Sequence, residues 1–436
     1  MIEITTKVKR YDVYKDSGVE WLGEIPEHWE TRRIKYIFNE INERSENGNE
    51  DLLSVSQYTG VTNKSDKVQE GGMLTNALTL EGYKKVTKGD LISNIMLAWN
   101  GSLGFSPFNG ITSPAYSIYR IYGDNDNRYF HYLLRTELYK AEFKRNSSGV
   151  IESRLRLYTD DFFKIESILP PPPEQTKIAQ FLDDKTTKIE DAITIKKQQI
   201  NLLKERKQIL IHKTVTQGLN PNVTLKDSGV EWIGEIPEGW EVKKVTHLFD
   251  RIGSGTTPTS GDNRYYDGKF NFLQTGDLND GKILRTKRTL KERAFKEFSS
   301  LKIYPKESLV MAMYGATIGK LGILNIESAT NQACCVFGKS DKIRTQYFFQ
   351  VLLAFRTEII SFGYGGGQPN ISQDLIKSLR FPIAPLSEQK EISAYIETAS
   401  QKIETAIGLK EQEIDKLKEY KSSLINSVVT GKVKVC

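Results

Sequence analysis

The sequence predicts an α+β protein in which two α/β domains are separated by two long antiparallel α-helices, as a pseudo-two-fold internal duplication. Three observations predict this fold class. A short segment occurs twice, and each copy is followed by a divergent stretch of short, Gly-punctuated runs of β-branched and aromatic residues. Each half then ends in a stretch of roughly 40 residues that lacks proline and has apolar residues at helical spacing.

The duplicated segment is nearly identical in its two copies. Residues 15–30 recur as residues 226–241, and only the pairs Leu22/Ile233 and His28/Gly239 differ. The stretches that follow, about 31–165 and 242–378, match only faintly. Their short runs predict a mostly antiparallel sheet with one helix that begins near Tyr129 or Tyr347. Repeated segments beside divergent domains indicate one role performed twice and two different ligands, although a duplication whose halves drifted is the alternative.

A second repeat marks the start of each predicted long helix. Glu174 and Gln175 correspond to Glu388 and Gln389, and prolines precede both pairs. Proline suits the first turn of a helix, where its missing N–H is not needed. Apolar residues then recur at alternating steps of three and four, which is the seam of paired helices.

Glycines and lysines add detail to these helices. Gly218 and Gly431 lie where the helices should end. Four lysines interrupt the apolar seam, namely Lys196, Lys207, Lys410 and Lys421. They could set the register between the helices, or extend outward onto a partner or a phosphate backbone. The predicted division of the chain is 1–168 (first segment and α/β domain), 169–219 (central helix), 220–380 (second segment and α/β domain) and 381–436 (C-terminal helix).

Composition sets broad limits on location and partners. The 436 residues carry a net charge of +6, which permits binding to a polyanion without demanding it. No apolar run approaches the length that crosses a bilayer, and no secretory leader is visible, so a cytoplasmic protein is expected. The three cysteines, Cys334, Cys335 and Cys436, form no metal-binding pattern, so we expect a reduced compartment and no metal site.

Motifs for catalysis are missing from the sequence. An adenine methyltransferase should contain Asn- or Asp-Pro-Pro-aromatic, but residues 170–173 are four prolines between Leu169 and Glu174. Residues 315–321 resemble a phosphate-binding loop, yet the glycine spacing is short and Leu321 replaces the metal-binding Ser or Thr. We therefore predict a strand–turn–strand there. The four histidines are scattered, so no catalytic residue is predicted.

Several motifs together resemble a known family. Gly-Xaa-Ile-Pro-Xaa-Xaa-Trp occurs at 23–29 and 234–240, and a proline-introduced Glu-Gln pair precedes each long helix. The second domain adds Ile-Gly-Ser-Gly-Thr-Thr-Pro at 252–258 and Gly-Gly-Gly-Gln-Pro-Asn-Ile at 365–371. In this order, over nearly the whole chain, the motifs resemble the specificity subunit of type I restriction–modification systems.

The resemblance implies a division of labour among subunits. Each α/β domain would be a target-recognition domain that reads one half of a bipartite, asymmetric site in double-stranded DNA. The helices would fix the spacer and dock two methyltransferase subunits, and restriction subunits would join that complex. The methyl donor, S-adenosylmethionine, would belong to the methyltransferase, so this chain binds no cofactor. The alternatives are the specificity subunit of a methylation-only assembly and a tandem protein-interaction scaffold that never touches DNA.

Two sets of residues are candidates for these contacts. Side chains that reach base edges and phosphates are Arg, Lys, Asn, Gln, Ser, Thr and Tyr, although solvated surface or turn is the alternative for each residue. The DNA candidates are Arg145, Asn146, Ser147, Arg154, Arg156, Ser254, Thr256, Thr257, Arg264, Tyr265, Arg285, Lys287, Arg288, Gln368 and Asn370. The partner candidates are Trp21, Trp29, Trp232, Trp240, Glu174, Gln175, Glu388 and Gln389. The four tryptophans could instead pack their segment against the helices or the adjoining domain.

Overall fold

The computed structural model describes residues 9–67, 77, 79–363 and 370–435. Its contacts divide the chain into two compact units. Unit 1 contains the described residues within 1–196 and 411–436, and unit 2 contains those within 197–410. The chain therefore enters and leaves unit 2 once, whereas unit 1 is assembled from both ends of the sequence.

Unit 1 combines small sheets with short helices and with one part of each long helix. Its strands are β1 (Tyr14–Asp16), β2 (Glu24–Pro26), β3 (Glu30–Arg33), β4 (Phe38–Ile41), β5 (Leu53–Ser56), β6 (Gly60–Asn63), β7 (Lys84–Val86), β8 (Leu91–Asn94), β9 (Leu103–Phe105), β10 (Gly110–Thr112), β11 (Tyr116–Ile121) and β12 (Glu166–Leu169). Its helices are α1 (Asn127–Leu133), α2 (Glu137–Arg145), α3 (Thr159–Lys164) and the first part of α4 (Pro172–Gln217).

Unit 2 repeats this order and adds elements of its own. Its strands are β13 (Leu225–Asp227), β14 (Glu235–Pro237), β15 (Glu241–Lys244), β16 (Ile252–Gly253), β17 (Tyr266–Leu273), β18 (Gly281–Ile283), β19 (Arg288–Leu290), β20 (Leu309–Ala312), β21 (Leu321–Leu324), β22 (Ala329–Thr330), β23 (Cys334–Phe337) and β24 (Arg380–Ile383). Its helices are α5 (Val245–Leu248), α6 (Glu292–Glu297), α7 (Thr345–Ala354), α8 (Arg356–Ser361), α9 (Gln373–Ser378) and the first part of α10 (Leu386–Val429). The last part of α4 belongs to unit 2, and the last part of α10 belongs to unit 1.

The two units share one sheet order. Unit 1 has the four-stranded sheet β4-β11-β8-β9, and unit 2 has β16-β23-β20-β21 extended by β18. The pairings are antiparallel except β18 with β21 and β17 with β22, which confirms the predicted mostly antiparallel sheets. The central strands β8, β20 and β23 are buried along their whole length, because both faces of these strands are covered. Their side chains therefore form apolar runs and do not alternate with polar residues.

The predicted turn at 315–321 is confirmed. Residues Gly315–Thr317 form a 3-10 turn between β20 and β21, and Gly315 has a φ of 78°. β20 pairs with β21 in antiparallel register through Met311 and Leu321. This geometry is a strand–turn–strand hairpin and differs from a phosphate-binding loop, which joins a strand to a helix.

The two long helices are as predicted in position and direction. Helix α4 has 46 residues and α10 has 44, and Gly218 (φ 75°) and Gly431 (φ 76°) follow them in the left-handed conformation. Within unit 1, Lys196 pairs with Glu413 at 2.5 Å and Lys421 pairs with Glu190 at 2.7 Å. Residue numbers rise along one helix as they fall along the other, so the helices are antiparallel.

The seam lysines settle part of the choice left open by the sequence. In unit 2, Lys207 pairs with Glu404 on the facing helix at 2.9 Å. The side chains of Lys196, Lys207 and Lys421 are only 24–29% exposed. Lys196, Lys207 and Lys421 therefore contact the facing helix, as expected for residues that set its register.

Each core joins a duplicated segment to the ends of both long helices. In unit 1, Trp29 is buried with Leu182 of α4 and Val428 of α10. In unit 2, Trp240 is buried with Val215 of α4 and Ile396 of α10. In each unit, the duplicated segment therefore packs into the core against the ends of both long helices. Among the described residues, no helix is long and apolar enough to cross a membrane.

Candidate nucleic-acid interface

Unit 2 carries a basic module that has its own small core. We use this name for residues 262–302, which contain ten Lys or Arg and six Asp or Glu. Strands β17 and β19 and helix α6 enclose a separate cluster that includes Tyr266, Phe272 and Leu290. An excess of four positive charges in so short a range is large beside the net +6 of the whole chain. Such a surface attracts the phosphates of DNA.

The densest basic run of the sequence lines a groove on this module. The groove has a volume of about 480 Å³, and Lys282, Arg285, Lys287 and Asp277 contribute to its walls. Arg285 and Lys287 are exposed. Arg288 lies differently, because its guanidinium stacks over the Tyr266 ring at 3.9 Å. Two of the three predicted basic residues therefore face solvent, and the third anchors the module's core.

Arg264 and Tyr265 belong to a network at the start of the module. Arg264 donates to both carboxylate oxygens of Asp262 and lowers the pKa of that carboxyl to about 2. Tyr265 is buried and donates to Glu297 at 2.5 Å, and this hydrogen bond raises the pKa of the phenol. Asp262 thus holds the exposed Arg264 side chain in place, while Tyr265 serves packing and is not exposed to DNA.

The loop at residues 254–258, here called the recognition loop, packs tightly against residues 330–332. A Cβ on Gly255 would lie 1.6 Å from the Thr330 carbonyl oxygen, so only glycine fits. Thr257 donates a short hydrogen bond to the Gln332 side chain. Ser254, Thr256 and Thr257 are half-buried, so the loop is a fixed polar surface.

Asn370 lies in a second segment, which contacts the residues that follow β20. It forms a bridge with Tyr314, and the next residue, Ile371, donates its N–H to the Met313 carbonyl at 2.8 Å. Gln368 lies outside the described residues. In unit 1, Leu157 donates to the Ile95 carbonyl at 2.8 Å. Ile95 follows β8 as Met313 follows β20, so Leu157 corresponds in position to Ile371.

The unit 1 candidates surround the end of α2. Arg145 and Asn146 both donate to the buried Glu142 carboxylate, at 2.8 and 2.7 Å, and Ser147 donates to the Phe143 carbonyl. The Arg145 side chain is nevertheless 64% exposed. Arg154 is exposed and Arg156 is half-buried, and Arg156 pairs with Ser148 in a short bridge. A hydrogen-bonded, exposed guanidinium can still contact a phosphate.

The partner candidates turn out to be largely internal. Trp29 and Trp240 are 0% and 1% exposed, and Trp21 and Trp232 stack edge-on against Tyr139 and Phe355, both at 5.0 Å. This burial corrects the expectation of direct partner contact for Trp29 and Trp240. Their segment packs against the helices, which was the alternative that the sequence left open.

The Glu-Gln pairs connect each long helix to its α/β domain. Gln175 accepts from the Asp126 N–H at 2.9 Å and donates to the Pro170 carbonyl at 2.8 Å. Gln389 repeats this with the Arg344 N–H (2.9 Å) and the Ala384 carbonyl (2.8 Å). Both glutamines are buried, so direct partner contact is corrected for them as well.

The glutamates beside them hold the duplicated segments. Glu388 accepts from the Trp240 indole N–H at 3.0 Å. Glu174 accepts from His28 at 2.8 Å and from the Tyr11 hydroxyl, and these hydrogen bonds outweigh its burial and lower the pKa of its carboxyl. For both glutamates, and for the half-buried Trp21 and Trp232, contact with a partner stays a prediction.

Sequence reasoning missed two residues of the unit 2 surface, namely Asn331 and Gln332. A readable signal existed for both, because they are a polar pair shortly before the buried strand β23. A polar pair at the end of an apolar run is a common place for binding residues. No group of His, Cys, Asp or Glu within the described residues is placed to hold a metal ion.

The duplicated framework and the basic, loop-lined surface define a DNA-recognition subunit with two recognition domains. A family model for the type I restriction modification DNA specificity domain matches residues 26–205 and again residues 237–419. The chain therefore belongs to this family. It is a DNA-recognition specificity subunit of the type I restriction–modification class.

Relatives agree with this assignment over most of the chain. The MjaVIII specificity subunit of Methanocaldococcus jannaschii, a type I restriction enzyme subunit, is 26% identical over 81% of this chain and 83% of its own length. The putative MjaX specificity subunit of the same organism is 26% identical over 95% and 96%. The HsdS subunit from Thermoanaerobacter tengcongensis has the same fold, with a TM-score of 0.56, 14% identity and coverage of 94% and 98%. A chain from a study of type I R-M complex assembly and conformational transition has a TM-score of 0.69, 14% identity and coverage of 93% and 98%.

Proposed function

We propose that this chain is a non-catalytic adaptor that reads a bipartite, asymmetric DNA target, one half with each unit. The observation that carries the proposal is the contrast between framework and surface. Both units have the same sheet order, and in both the buried tryptophan of the duplicated segment packs against the ends of the two long helices. The surfaces on this framework differ, because the segment at 144–156 in unit 1 corresponds to a glycine-rich segment in unit 2, which also carries the basic module. One framework with two surfaces suits two different half-sites.

The docking of two methyltransferase subunits is part of the proposal. Each duplicated segment has four exposed glutamates, three of which are Glu20, Glu24 and Glu27 in unit 1, and Glu231, Glu235 and Glu238 in unit 2. Within the described residues, none of the six forms an ion pair. Exposed glutamates repeated at matching positions suit a partner that binds twice, because such a partner would need the same surface twice. Restriction subunits would join this complex, S-adenosylmethionine would be bound by the methyltransferase, and we place the assembly in the cytoplasm with its DNA.

The test is co-expression with a type I methyltransferase subunit followed by mapping of methylated adenines across the host genome. We expect one bipartite motif that disappears without this chain. Replacement of residues 242–378 by the corresponding domain of a relative should change one half of the motif and leave the other half intact. An assembled complex that methylates no defined motif would contradict the proposed function.

Docking is tested separately by charge reversal. Glu20, Glu24 and Glu27 changed together to lysine should lower the number of methyltransferase subunits per chain from two to one, measured by native mass spectrometry. The matched triple change at Glu231, Glu235 and Glu238 should do the same, and both together should abolish the complex. A stoichiometry that none of these changes affects would exclude this surface as the docking site.

A further inference from the structure

We propose that Gln332 reads a base edge in the half-site bound by unit 2, and that Thr257 is the residue that positions it. This inference rests on the proposed function and assigns specificity to a residue outside the motifs that identify the family. Gln332 is exposed and lies two residues before the first residue of β23. An amide side chain can donate and accept at once, which is what the major-groove edge of a base pair requires.

The position of Gln332 is fixed from both sides. The amide oxygen of Gln332 accepts a hydrogen bond from the Thr257 hydroxyl, which leaves the amide N–H groups free to donate. The preceding residue, Asn331, is held through its backbone, since its N–H donates to Leu273 at 3.2 Å and its carbonyl accepts from Gly255 at 3.3 Å. A reading group held in this way loses little conformational entropy on binding.

The recognition loop that carries Thr257 is itself anchored at both ends. Tyr266 donates to the Pro258 carbonyl at 2.7 Å, and the Arg288 guanidinium covers the Tyr266 ring at 3.9 Å. At the other end, Tyr304 donates to the Ser254 carbonyl at 3.4 Å. The Gly255 contact with Thr330 presses the loop onto the strand end. The recognition loop is therefore anchored to the core of the basic module through Tyr266.

Phosphate contacts would come from the same module. Arg285 and Lys287 line the groove of about 480 Å³ and lie in the connection between β18 and β19. Contacts to phosphate hold the protein in register on DNA but carry no sequence information, whereas contacts to base edges carry it. The two kinds of residue should thus respond differently to substitution.

The experiment compares variants in the intact methyltransferase complex with unit 1 as an internal reference. Gln332→Ala should relax the motif at one or two neighbouring positions of one half only, with loss of discrimination on the order of tenfold or more. Thr257→Val keeps the shape but removes the hydroxyl, and should relax the same positions more weakly, while Thr257→Ser should retain specificity. Arg285→Ala and Lys287→Ala should weaken binding to all sequences alike and each reduce the salt slope by about one.

Asn325→Ala is the matched control, because Asn325 is an exposed amide of unit 2 that follows β21 and lies outside the recognition loop. It should leave the motif unchanged. Co-purification with the methyltransferase confirms that each variant is folded. If the wild-type complex has a defined motif and Gln332→Ala retains every position of it, this inference is overturned while the proposed function stands. If the wild-type complex has no motif, the proposed function itself fails.

Discussion

At the scale of single residues, His131 makes the stability of unit 1 depend on pH. Its imidazole lies against Gly60, Gly104 and Arg135, and burial, with a smaller contribution from Arg135, lowers its pKa to about 4. An unfolded histidine has a pKa near ~6.5. Between these values the unfolded chain binds more protons than the folded chain, so stability is present at neutral pH and falls as the pH decreases through this window.

We therefore expect the free energy of unfolding of unit 1 to fall by on the order of 2 kcal/mol between pH 7 and pH 5. Urea denaturation at several pH values measures this directly. His131→Gln should remove most of the dependence, whereas the same change at the exposed His247 should not. A wild-type stability that is flat between pH 7 and pH 5 would show that His131 is not buried as a neutral base.

Gln389 is a second residue whose effect can be predicted. Its replacement by alanine leaves the Arg344 N–H and the Ala384 carbonyl without their partner. Each unsatisfied buried group costs roughly 1–3 kcal/mol, so Gln389→Ala should destabilise unit 2 by roughly 2–6 kcal/mol. Thermal unfolding measures the loss, and Gln175→Ala should cause a similar loss in unit 1.

The change Lys390→Ala provides the control, because Lys390 is the next residue of the same helix and its side chain is exposed. It should change stability by less than about 0.5 kcal/mol. Equal effects of the two changes at 389 and 390 would indicate that the glutamine does not anchor the helix. The position was assigned to a partner from sequence because both copies of the pair are identical, and duplication alone does not distinguish an internal anchor from a docking residue.

At the scale of elements, the ion pairs across the helix seam should set the register. Lys207→Glu places a carboxylate opposite the carboxylate of Glu404. The change should destabilise the fold by roughly 1 kcal/mol, since the pair is partly exposed. The double change Lys207→Glu with Glu404→Lys should restore most of that loss. A double-mutant cycle in urea measures the coupling energy.

The duplication supplies a matched cycle in unit 1. Lys421 and Glu190 are the repeat counterparts of Lys207 and Glu404, and they pair at 2.7 Å. Their charge reversal and its rescue should follow the same pattern. Additive effects in both cycles would mean that these pairs are incidental and that the apolar seam alone sets the register.

The elements also show which parts of the fold can be predicted from sequence. The helices α4 and α10 were predictable because their signals are local: prolines at the start, glycines at the end and a regular apolar spacing between. The basic module was not predictable as a sheet, since Phe272 in β17 pairs in parallel with Ala329 in β22, far along the chain. Gln332 was missed for the same reason, because Thr257, which positions it, is 75 residues away.

At the scale of the whole molecule, the units differ in how the end of a long helix meets the duplicated segment. In unit 2, α4 continues through residues 218–224 into β13, so the connection is covalent. In unit 1, the end of α10 meets β1 without a bond. Tyr14 donates to the Gly431 carbonyl at 3.0 Å, and Lys434 donates its N–H to the Lys9 carbonyl at 2.8 Å. Unit 1 is thus a circular permutation of the arrangement in unit 2.

This equivalence predicts that a circularly permuted chain will fold. In this permutant, a short Gly/Ser linker joins residue 436 to residue 1, and the chain is opened between residues 220 and 221. The chain ends then lie in unit 2, at the place that matches their original place in unit 1. Lys9 and Lys434 are already paired, so the loop that contains the linker joins two positions that lie close together, at little entropic cost. We expect an unchanged circular dichroism spectrum, a similar unfolding temperature and the same methylation motif with the methyltransferase.

A permutant opened at residue 188, inside α4, interrupts a continuous helix and should be unstable. If the permutant opened at 220 proved as unstable as the one opened at 188, the covalent junction in unit 2 would have a role that the contacts in unit 1 cannot perform.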